Sequence, residues 1–242
     1  MQKEQDWELQ SHPYEPYIPE NAAALILGSA PPWRFCVREP KPLKALDVDY
    51  YYGSHNRGYN LLWELLFRVF EPSGLEELDG IRKLQNPRPQ RSKLQIQFFR
   101  VFLRSHSLGM ADILLKFSRR DRSAADGKLK ALEFTSLLGI LEKHPGIRSI
   151  FCTSQNRVFL WLEHYLALNG VKMESGAGKT LFFTLPALPG TDHSPRRINV
   201  LVLPSPSPVG RIRFPSHQAF VAHLTEVYAR MFGAERDSHP GI

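Results

Sequence analysis

The sequence predicts an α/β protein, a three-layer α/β/α sandwich around a mainly parallel sheet. Strand-like apolar runs alternate with amphipathic helical segments, a pattern typical of a parallel sheet covered by helices on both faces. Two strong apolar runs, at 23–28 and 198–203, stop abruptly at loops rich in proline, serine and glycine. With 242 residues, 43% of them hydrophobic, the chain can bury one full core as a single larger domain.

We expect an N-terminal arm at 1–20, one domain at 21–233 and a flexible tail at 234–242. Three prolines keep the arm extended. The first residues have no apolar targeting segment, and no run approaches the roughly 18 apolar residues of a membrane span. A cytoplasmic protein, associated with the nucleoid in a prokaryote, is therefore expected.

The first half of the domain begins with a strand at 23–28, where five consecutive apolar residues end at a glycine. A leucine stripe predicts a helix at 59–70, which the turn sequence EPSG ends. The polar, proline-containing segment 75–90 is predicted as a surface excursion, and 93–105 as an amphipathic helix. A short apolar piece at 110–115 is the candidate second strand.

The second half is predicted from clearer signals. β-Branched and aromatic residues at 147–153 predict a strand, and the helix after it is closed by Asn169 and Gly170. The remaining elements are expected as helices at 129–143, 156–168 and 216–232 and as strands at 181–185 and 198–203.

Asp112 lies inside the apolar piece at 110–115. A buried carboxylate is unfavourable unless it is paired or used, so Asp112 has either a capping role in a turn or a role in a site. Both interpretations stay open on the sequence alone.

The net charge of +7 and the pI near 9.5 favour a polyanionic partner. Basic residues cluster at 82–104, 116–122 and 196–213. The two cysteines, Cys36 and Cys152, are far apart and the nine histidines are scattered, so no disulfide, metal or other cofactor is predicted.

The sequence GAGKT at 176–180 resembles the end of a phosphate-binding P-loop. The required first glycine is replaced by Met173, and the following residues favour a strand where that motif needs a helix. A hairpin turn is predicted instead.

Two stiff loops, GSAPP at 28–32 and LPSPSPVGR at 203–211, follow strong strands. Because parallel strands end at one edge of a sheet, both loops are expected to face one cleft. Tyrosines 50–52 precede a glycine and small polar residues, a combination that suits a nucleobase. The loop sequence Val209-Gly210-Arg211 has the composition of a segment that presses into a duplex.

These residues resemble the uracil-DNA glycosylase superfamily, and are most similar to its deoxyinosine (hypoxanthine) and mismatch-specific uracil branches. The likeness consists of GSAPP, then YYG with a nearby asparagine, then Gly109-x-x-Asp112, IFCT and LPSPSP, in that order over most of the chain. It implies a four-stranded parallel sheet and a monofunctional, metal-independent hydrolysis of the base–sugar bond. The implied partner is DNA with a damaged or mismatched base, bound by a monomer.

The resemblance also implies roles for individual residues. The first loop would activate water, Tyr52 would stack on the flipped base, Asp112 would read its edge, and the second loop would grip the DNA backbone. The implied catalytic residues are Asn56, Asn60 and Ser29; the base-binding residues are Gly28, Ala30, Pro31, Tyr52, Gly53 and Asp112; the DNA-binding residues are Ser205, Pro206, Ser207, Pro208 and Arg211.

The sequence departs from the superfamily in both loops. Ser29 and Ala30 stand where many members carry an asparagine or aspartate, and Leu203 stands where the main uracil-excising branch carries a histidine. Asn56 keeps the family's distance from YYG, whereas Asn60 keeps the pattern Asn-x-x-Trp; both stay candidates, with a slight preference for Asn56.

We therefore expect a DNA glycosylase of base-excision repair that releases uracil or hypoxanthine. The alternative is a weak or inactive superfamily member that binds nucleic acid or a nucleobase without excision. A small-molecule α/β enzyme that uses the same cleft is a third hypothesis.

Overall fold

The computed structural model describes residues 7–37, 40–55, 58–122, 125–176, 181–186 and 195–238. The strands are β1 (Glu8–Ser11), β2 (Ala24–Gly28), β3 (Leu108–Asp112), β4 (Leu114–Arg119), β5 (Leu129–Phe134), β6 (Ser149–Cys152), β7 (Glu174–Ser175), β8 (Leu181–Leu185) and β9 (Arg196–Val202). The helices are α1 (Trp33–Cys36), α2 (Leu62–Phe70), α3 (Gly74–Lys83), α4 (Arg88–Ser105), α5 (Leu137–Lys143), α6 (Leu160–Leu168) and α7 (His217–Ser238).

The main sheet has the strand order β3-β2-β6-β9-β8-β7. The first four strands are parallel to one another, whereas β8 and β7 extend the sheet antiparallel. The expected four-stranded parallel sheet is therefore not confirmed, because the sheet in the described residues has six strands of mixed orientation. The hairpin predicted around GAGKT accounts for the difference, since its two arms are β7 and β8.

The main sheet separates two hydrophobic cores. Ala24 and Ile26 of β2 face a core that includes buried residues of α2, α4 and α7. Leu25 and Leu27 face the opposite core, which includes buried residues of α5 and α6. This alternation places helices on both faces, because successive side chains of a strand point to opposite sides.

A second, antiparallel sheet with the order β1-β4-β5 was not predicted. The helix expected at 129–143 is wrong over its first half, where β5 lies, and only 137–143 is helical. Residues 129–134 read LKALEF, which are mostly good helix formers, but pairing with β4 overrides this local preference. Strand β1 belongs to the segment interpreted as an arm and pairs with the other side of β4.

The surface excursion expected at 75–90 is also wrong in part, because most of it forms α3. Gly74 and Leu78 are the buried residues of this helix, and acidic residues in its first turn and basic residues in its last turn interact favourably with the helix dipole. No helix of the described residues is long and apolar enough to cross a membrane.

Candidate functional site

The carboxyl ends of the four parallel strands lie at one edge of the main sheet. Gly28 and Asp112 are register partners at the ends of β2 and β3. Next to them, the Thr153 amide after β6 donates to the Leu27 carbonyl at 3.0 Å, and the Leu203 amide after β9 donates to the Cys152 carbonyl at 2.8 Å. This edge carries residues 28–32, called the first loop below, and residues 203–213, called the second loop.

Gly28 allows a close approach that no other residue would permit. A Cβ atom at this position would lie 2.0 Å from Asp112 Oδ1 and 2.3 Å from the Tyr52 hydroxyl. The tyrosine and the aspartate therefore converge on the backbone at the start of the first loop.

Tyr52 is held in place at its hydroxyl end. Its hydroxyl lies 2.8 Å from Thr153 Oγ1, which itself donates to the Leu27 carbonyl at 3.1 Å. Burial of the hydroxyl, with the nearby Asp112 charge, raises the Tyr52 pKa well above its usual range, so the phenol stays neutral. The residue as a whole is only partly buried, so part of its surface stays accessible.

The backbone around Tyr52 is unusual. Tyr52 has a φ of +52°, a left-handed conformation that residues with a side chain rarely adopt. The next residue, Gly53, packs so closely that an added Cβ would lie 2.0 Å from the Val48 carbonyl oxygen. Gly53, implied as a base-binding residue, thus also fixes the turn that presents Tyr52.

Asp47 anchors the segment that leads to this turn. Its buried carboxylate accepts two hydrogen bonds from Arg34, at 2.6 and 2.7 Å, and one each from the amides of Lys44 and His55, both at 2.7 Å. Burial alone would raise the Asp47 pKa, but the Arg34 hydrogen bonds and the two amides outweigh it and lower the pKa below its usual value.

Asp112 is paired with a residue from the N-terminal segment. His12 Nε2 lies 2.8 Å from Asp112 Oδ2, and the exposed fractions of the two side chains are only 4% and 7%. The sequence left Asp112 with either a capping role in a turn or a role in a site. The structure shows its carboxylate buried at the edge of the sheet and paired with His12. Its other oxygen, Oδ1, faces Gly28.

Ser29 binds a carboxylate that sequence reasoning missed. Its hydroxyl donates to Asp126 Oδ1 at 2.7 Å. Asp126 belongs to a short 3₁₀ turn that enters β5. Burial, and then the Asp112 charge, raise the Asp126 pKa, although the Ser29 hydrogen bond and the charges of Arg119 and Arg157 act in the opposite direction.

The small sheet also fixes the far end of the first loop. Arg119, at the end of β4, is 1% exposed. Its Nη2 donates to the carbonyl of Pro31 at 2.5 Å, and its Nε donates to Gln10 Oε1 of β1 at 2.8 Å. Pro31, implied as a base-binding residue, is itself buried, so the loop is clamped at a defined position.

The second loop is held mainly through its backbone. The Leu61 amide donates to the carbonyl of Pro206 at 3.1 Å, which connects this loop to the segment after the tyrosines. The Tyr228 hydroxyl of α7 donates to the Pro204 carbonyl at 2.9 Å. Ser205 is exposed, and its Oγ accepts from the Ser207 amide at 3.3 Å.

The end of the second loop presents an apolar side chain to solvent. Residues Pro208–Arg213 form a 3₁₀ turn, in which a Cβ on Gly210 would lie 3.1 Å from the Phe220 ring. Ile212 is 90% exposed, and the arginines on either side of it, Arg211 and Arg213, are exposed as well. Arg211 was predicted from the sequence as a DNA-binding residue, whereas Ile212 was not. The signal that could have identified Ile212 is its position as an apolar residue between two arginines.

Of the two candidate catalytic asparagines, only Asn60 belongs to the described residues. Asn56 lies outside the described residues. Asn60 Oδ1 accepts a hydrogen bond from the Leu62 amide at 3.0 Å, so its oxygen serves the start of α2. Of the positions that depart from the superfamily pattern, Ala30 packs against the core and Leu203 is completely buried.

A basic cavity of about 390 Å³ lies beside the tyrosine segment, along α4. Its lining includes Arg88, Lys93 and Arg100, together with Ser92 and Asp49. The Asp49 amide donates to Ser92 Oγ at 2.9 Å, which joins this helix to the start of the tyrosine segment.

No group of three or more histidine, cysteine or acidic residues that could hold a metal ion occurs within the described ranges. Cys36 and Cys152 are free thiols.

No family model and no curated protein matches the chain. The chain is similar to a solution NMR structure described as a "putative Uracil DNA glycosylase" from Methanosarcina acetivorans. The sequences are 19% identical, the match covers 93% of this chain and 99% of the other, and the TM-score is 0.48. Likeness at this level assigns neither a family nor an activity, so the function has to follow from the chemistry of the site.

Proposed function

We propose that the protein is a DNA glycosylase of base-excision repair that hydrolyses the N-glycosidic bond of uracil or hypoxanthine flipped out of DNA. The observation that supports this most is the convergence at one sheet edge. Gly28 and Asp112 meet the Tyr52 hydroxyl there, and the second loop is tied to the tyrosine segment through Leu61 and Pro206.

The residues at this sheet edge suit a flipped base because they combine a flat aromatic side chain with fixed polar groups. The Tyr52 side chain would stack on the base, and Asp112 Oδ1 would read its hydrogen-bonding edge. Flipping costs a few kcal/mol and is least unfavourable for a mispaired base, which favours deaminated bases over normal pairs.

The second loop and α4 suit the DNA around that base. Ile212 would fill the gap left in the stack, since proteins that distort a duplex commonly insert an apolar wedge between base steps. Arg211 and Arg213 would hold the flanking phosphates, and the cavity with Arg88 and Lys93 offers a further phosphate track. Ile212 thereby takes the place that the sequence assigned to the Val209 segment.

Catalysis would depend on positioning and electrostatics. The rigid first loop would place its amides near the leaving base, where they stabilise the negative charge that develops as the bond breaks. The proposed hydrolysis is metal-independent.

A second candidate is a protein that binds nucleic acid or a nucleobase without excision. It is favoured by the three residues that depart from the superfamily pattern, because none of Ser29, Ala30 and Leu203 has a side chain that titrates near neutral pH.

The test is a substrate panel incubated with purified protein, with and without EDTA, and treated with alkali to cleave abasic sites. The panel contains duplexes with U:G, U:A and I:T pairs, single-stranded uracil, and a normal duplex as the control. We expect strand cleavage with at least one deaminated substrate, unchanged by EDTA, and none with the normal duplex. Salt-dependent DNA binding without any cleavage would instead support the second candidate.

A further inference from the structure

The first loop carries no side chain that could activate a water molecule for hydrolysis. Hydrolysis of a glycosidic bond needs a group that positions the attacking water, and a carboxylate or carboxamide serves this purpose well. The loop itself offers Ser29 and Ala30, neither of which is a base at neutral pH.

The small sheet brings a carboxylate to the same loop from elsewhere in the chain. Asp126 lies 97 positions after Ser29, yet the Ser29 hydroxyl donates to its Oδ1 at 2.7 Å. The hydrogen bond orients the carboxylate toward the loop that follows β2.

One oxygen of Asp126 stays available. The described residues provide a hydrogen-bond donor for Oδ1 but none for Oδ2. This contrasts with Asp47, whose two oxygens accept four hydrogen bonds. A partly buried carboxylate with one oriented oxygen and one unused oxygen is suited to hold a water molecule.

Asp112 is less suited to this role. Its Oδ2 is paired with His12 at 2.8 Å, and its Oδ1 is packed over Gly28 beside the Tyr52 hydroxyl. Oδ1 is therefore in place to read a base, and Oδ2 is already occupied by His12, so neither oxygen is free to hold the attacking water.

We propose that Asp126 is a catalytic residue that supplies, from the small sheet, the water-activating carboxylate that the first loop lacks. This assignment rests on the glycosylase function proposed above. Ser29 is then a positioning residue, which holds Asp126 Oδ1 so that Oδ2 faces the water.

The step balances as a simple hydrolysis. The bond between C1′ of the deoxyribose and the base nitrogen breaks, and its electron pair leaves with the base as an anion. The water oxygen forms a bond to C1′, and the proton of that water passes to Asp126. Transfer of this proton to the departing base or to solvent restores the carboxylate.

Charged and polar groups from several elements face Asp126. It is faced by Asp112 on β3, Arg119 on β4, Arg157 on the turn after β6, and the Ser29 hydroxyl. Their combined effect with burial raises the Asp126 pKa above its ordinary value, which makes the carboxylate a stronger proton acceptor.

The experiment compares the wild-type protein with Asp126→Asn, Ser29→Ala and a matched control, Asp121→Asn. Asp121 is an exposed aspartate nearby in the chain that binds Lys128 Nζ at 3.1 Å. Single-turnover excision, DNA affinity, thermal unfolding and the pH profile of excision are measured for each, on the best substrate of the panel.

We expect Asp126→Asn to lower the excision rate about 100-fold or more, with DNA affinity nearly unchanged. Ser29→Ala should lower the rate less, and Asp121→Asn should not change it. Asp126→Asn should also raise the melting temperature at neutral pH, because it removes a buried charge, and it should abolish the acid limb of the pH profile.

The outcomes separate this inference from the proposed function. If the wild-type protein excises a base and Asp126→Asn does so at a similar rate, the glycosylase function stands and the role of Asp126 is overturned. The role is also overturned if Asp126→Asn loses melting temperature and activity together, since that identifies a structural carboxylate. If the wild-type protein releases no base from any substrate, both proposals fall.

Discussion

The two loops at the sheet edge are held by different forces. The first loop is held by charged and polar groups: Asp126 binds Ser29, Arg119 binds Pro31, and Asp112 lies beside Gly28. The second loop is held by backbone hydrogen bonds and ends in an exposed isoleucine. If the protein is the glycosylase proposed above, we expect the first loop to determine the rate of the chemical step and the second loop to determine affinity for DNA.

The largest effect on stability is expected from the charged frame behind Tyr52. Asp47→Asn leaves Arg34 buried without its partner, which typically costs about 3–5 kcal/mol of the free energy of unfolding. Urea unfolding at neutral pH measures this loss.

The pH dependence of that effect has a definite sign. Because the folded-state pKa of Asp47 is lowered, its stabilisation is present above the unfolded pKa and is lost as the pH falls through the folded value. The gap between wild type and Asp47→Asn should therefore shrink below about pH 4. A gap that widens in acid would contradict the role given to Asp47.

The next largest effect is expected from Gly28→Ala. The added methyl group would overlap Asp112 Oδ1 and the Tyr52 hydroxyl, so both must move. Displacement of about 1 Å at a reacting centre lowers rates about 100-fold, and we expect this loss in single-turnover excision with little change in DNA affinity. Gly80→Ala is the control, since a Cβ there meets nothing within 4 Å; equal behaviour of the two variants would contradict the close approach at Gly28.

A smaller effect is expected from Tyr52. Tyr52→Ala removes the stacking surface, worth about 1–3 kcal/mol per base, and should slow excision roughly 10- to 100-fold. Tyr52→Phe keeps the ring and loses only the hydrogen bond to Thr153, so it should retain most of the activity. If Phe and Ala variants are equally slow, the hydroxyl rather than the ring is what matters.

The smallest effects are expected in the second loop, and on binding alone. Arg211→Ala should weaken DNA binding severalfold and reduce the slope of log K against log salt by about 1. Ile212→Ser should weaken binding to duplexes more than to single strands, because only a duplex has a stack to fill. Either variant would contradict the division of roles if it changed which base is preferred.

The strands that carry the two loops were predictable from the sequence, because apolar runs and turn residues are local sequence signals. The strands β2, β6 and β9 are apolar runs that end in turn residues, and both loops could be placed at one edge from the rule for parallel strands. Tyr52 was named from the aromatic segment and the superfamily resemblance, and Asp112 from its place in an apolar run and the same resemblance; the structure shows that both approach Gly28.

The missing part depends on tertiary contacts. Asp126 lies in a polar loop with no local sign of function, and its contact with Ser29 exists only because β4 and β5 fold back beside the first loop. His12 was likewise passed over as part of an arm, and it reaches Asp112 only because β1 pairs with β4. The high helix propensity of residues 129–134 led to a helix prediction where β5 lies. The small sheet was therefore missed, and with it Asp126, which lies in the turn before β5.

The central claim is that a flipped deaminated base occupies the cleft between the two loops. It is tested most directly by NMR titration of the labelled protein with a duplex that carries 2′-fluoro-deoxyuridine opposite guanine, since the fluorine slows glycosidic cleavage and preserves the complex. We predict that the amide signals of Gly28, Tyr52 and Gly210 shift together with one dissociation constant, and that those of Gly80 and Gly170 stay unchanged. Shifts at Gly210 without any at Gly28 and Tyr52 would mean that DNA binds but no base enters the cleft, which would contradict the account.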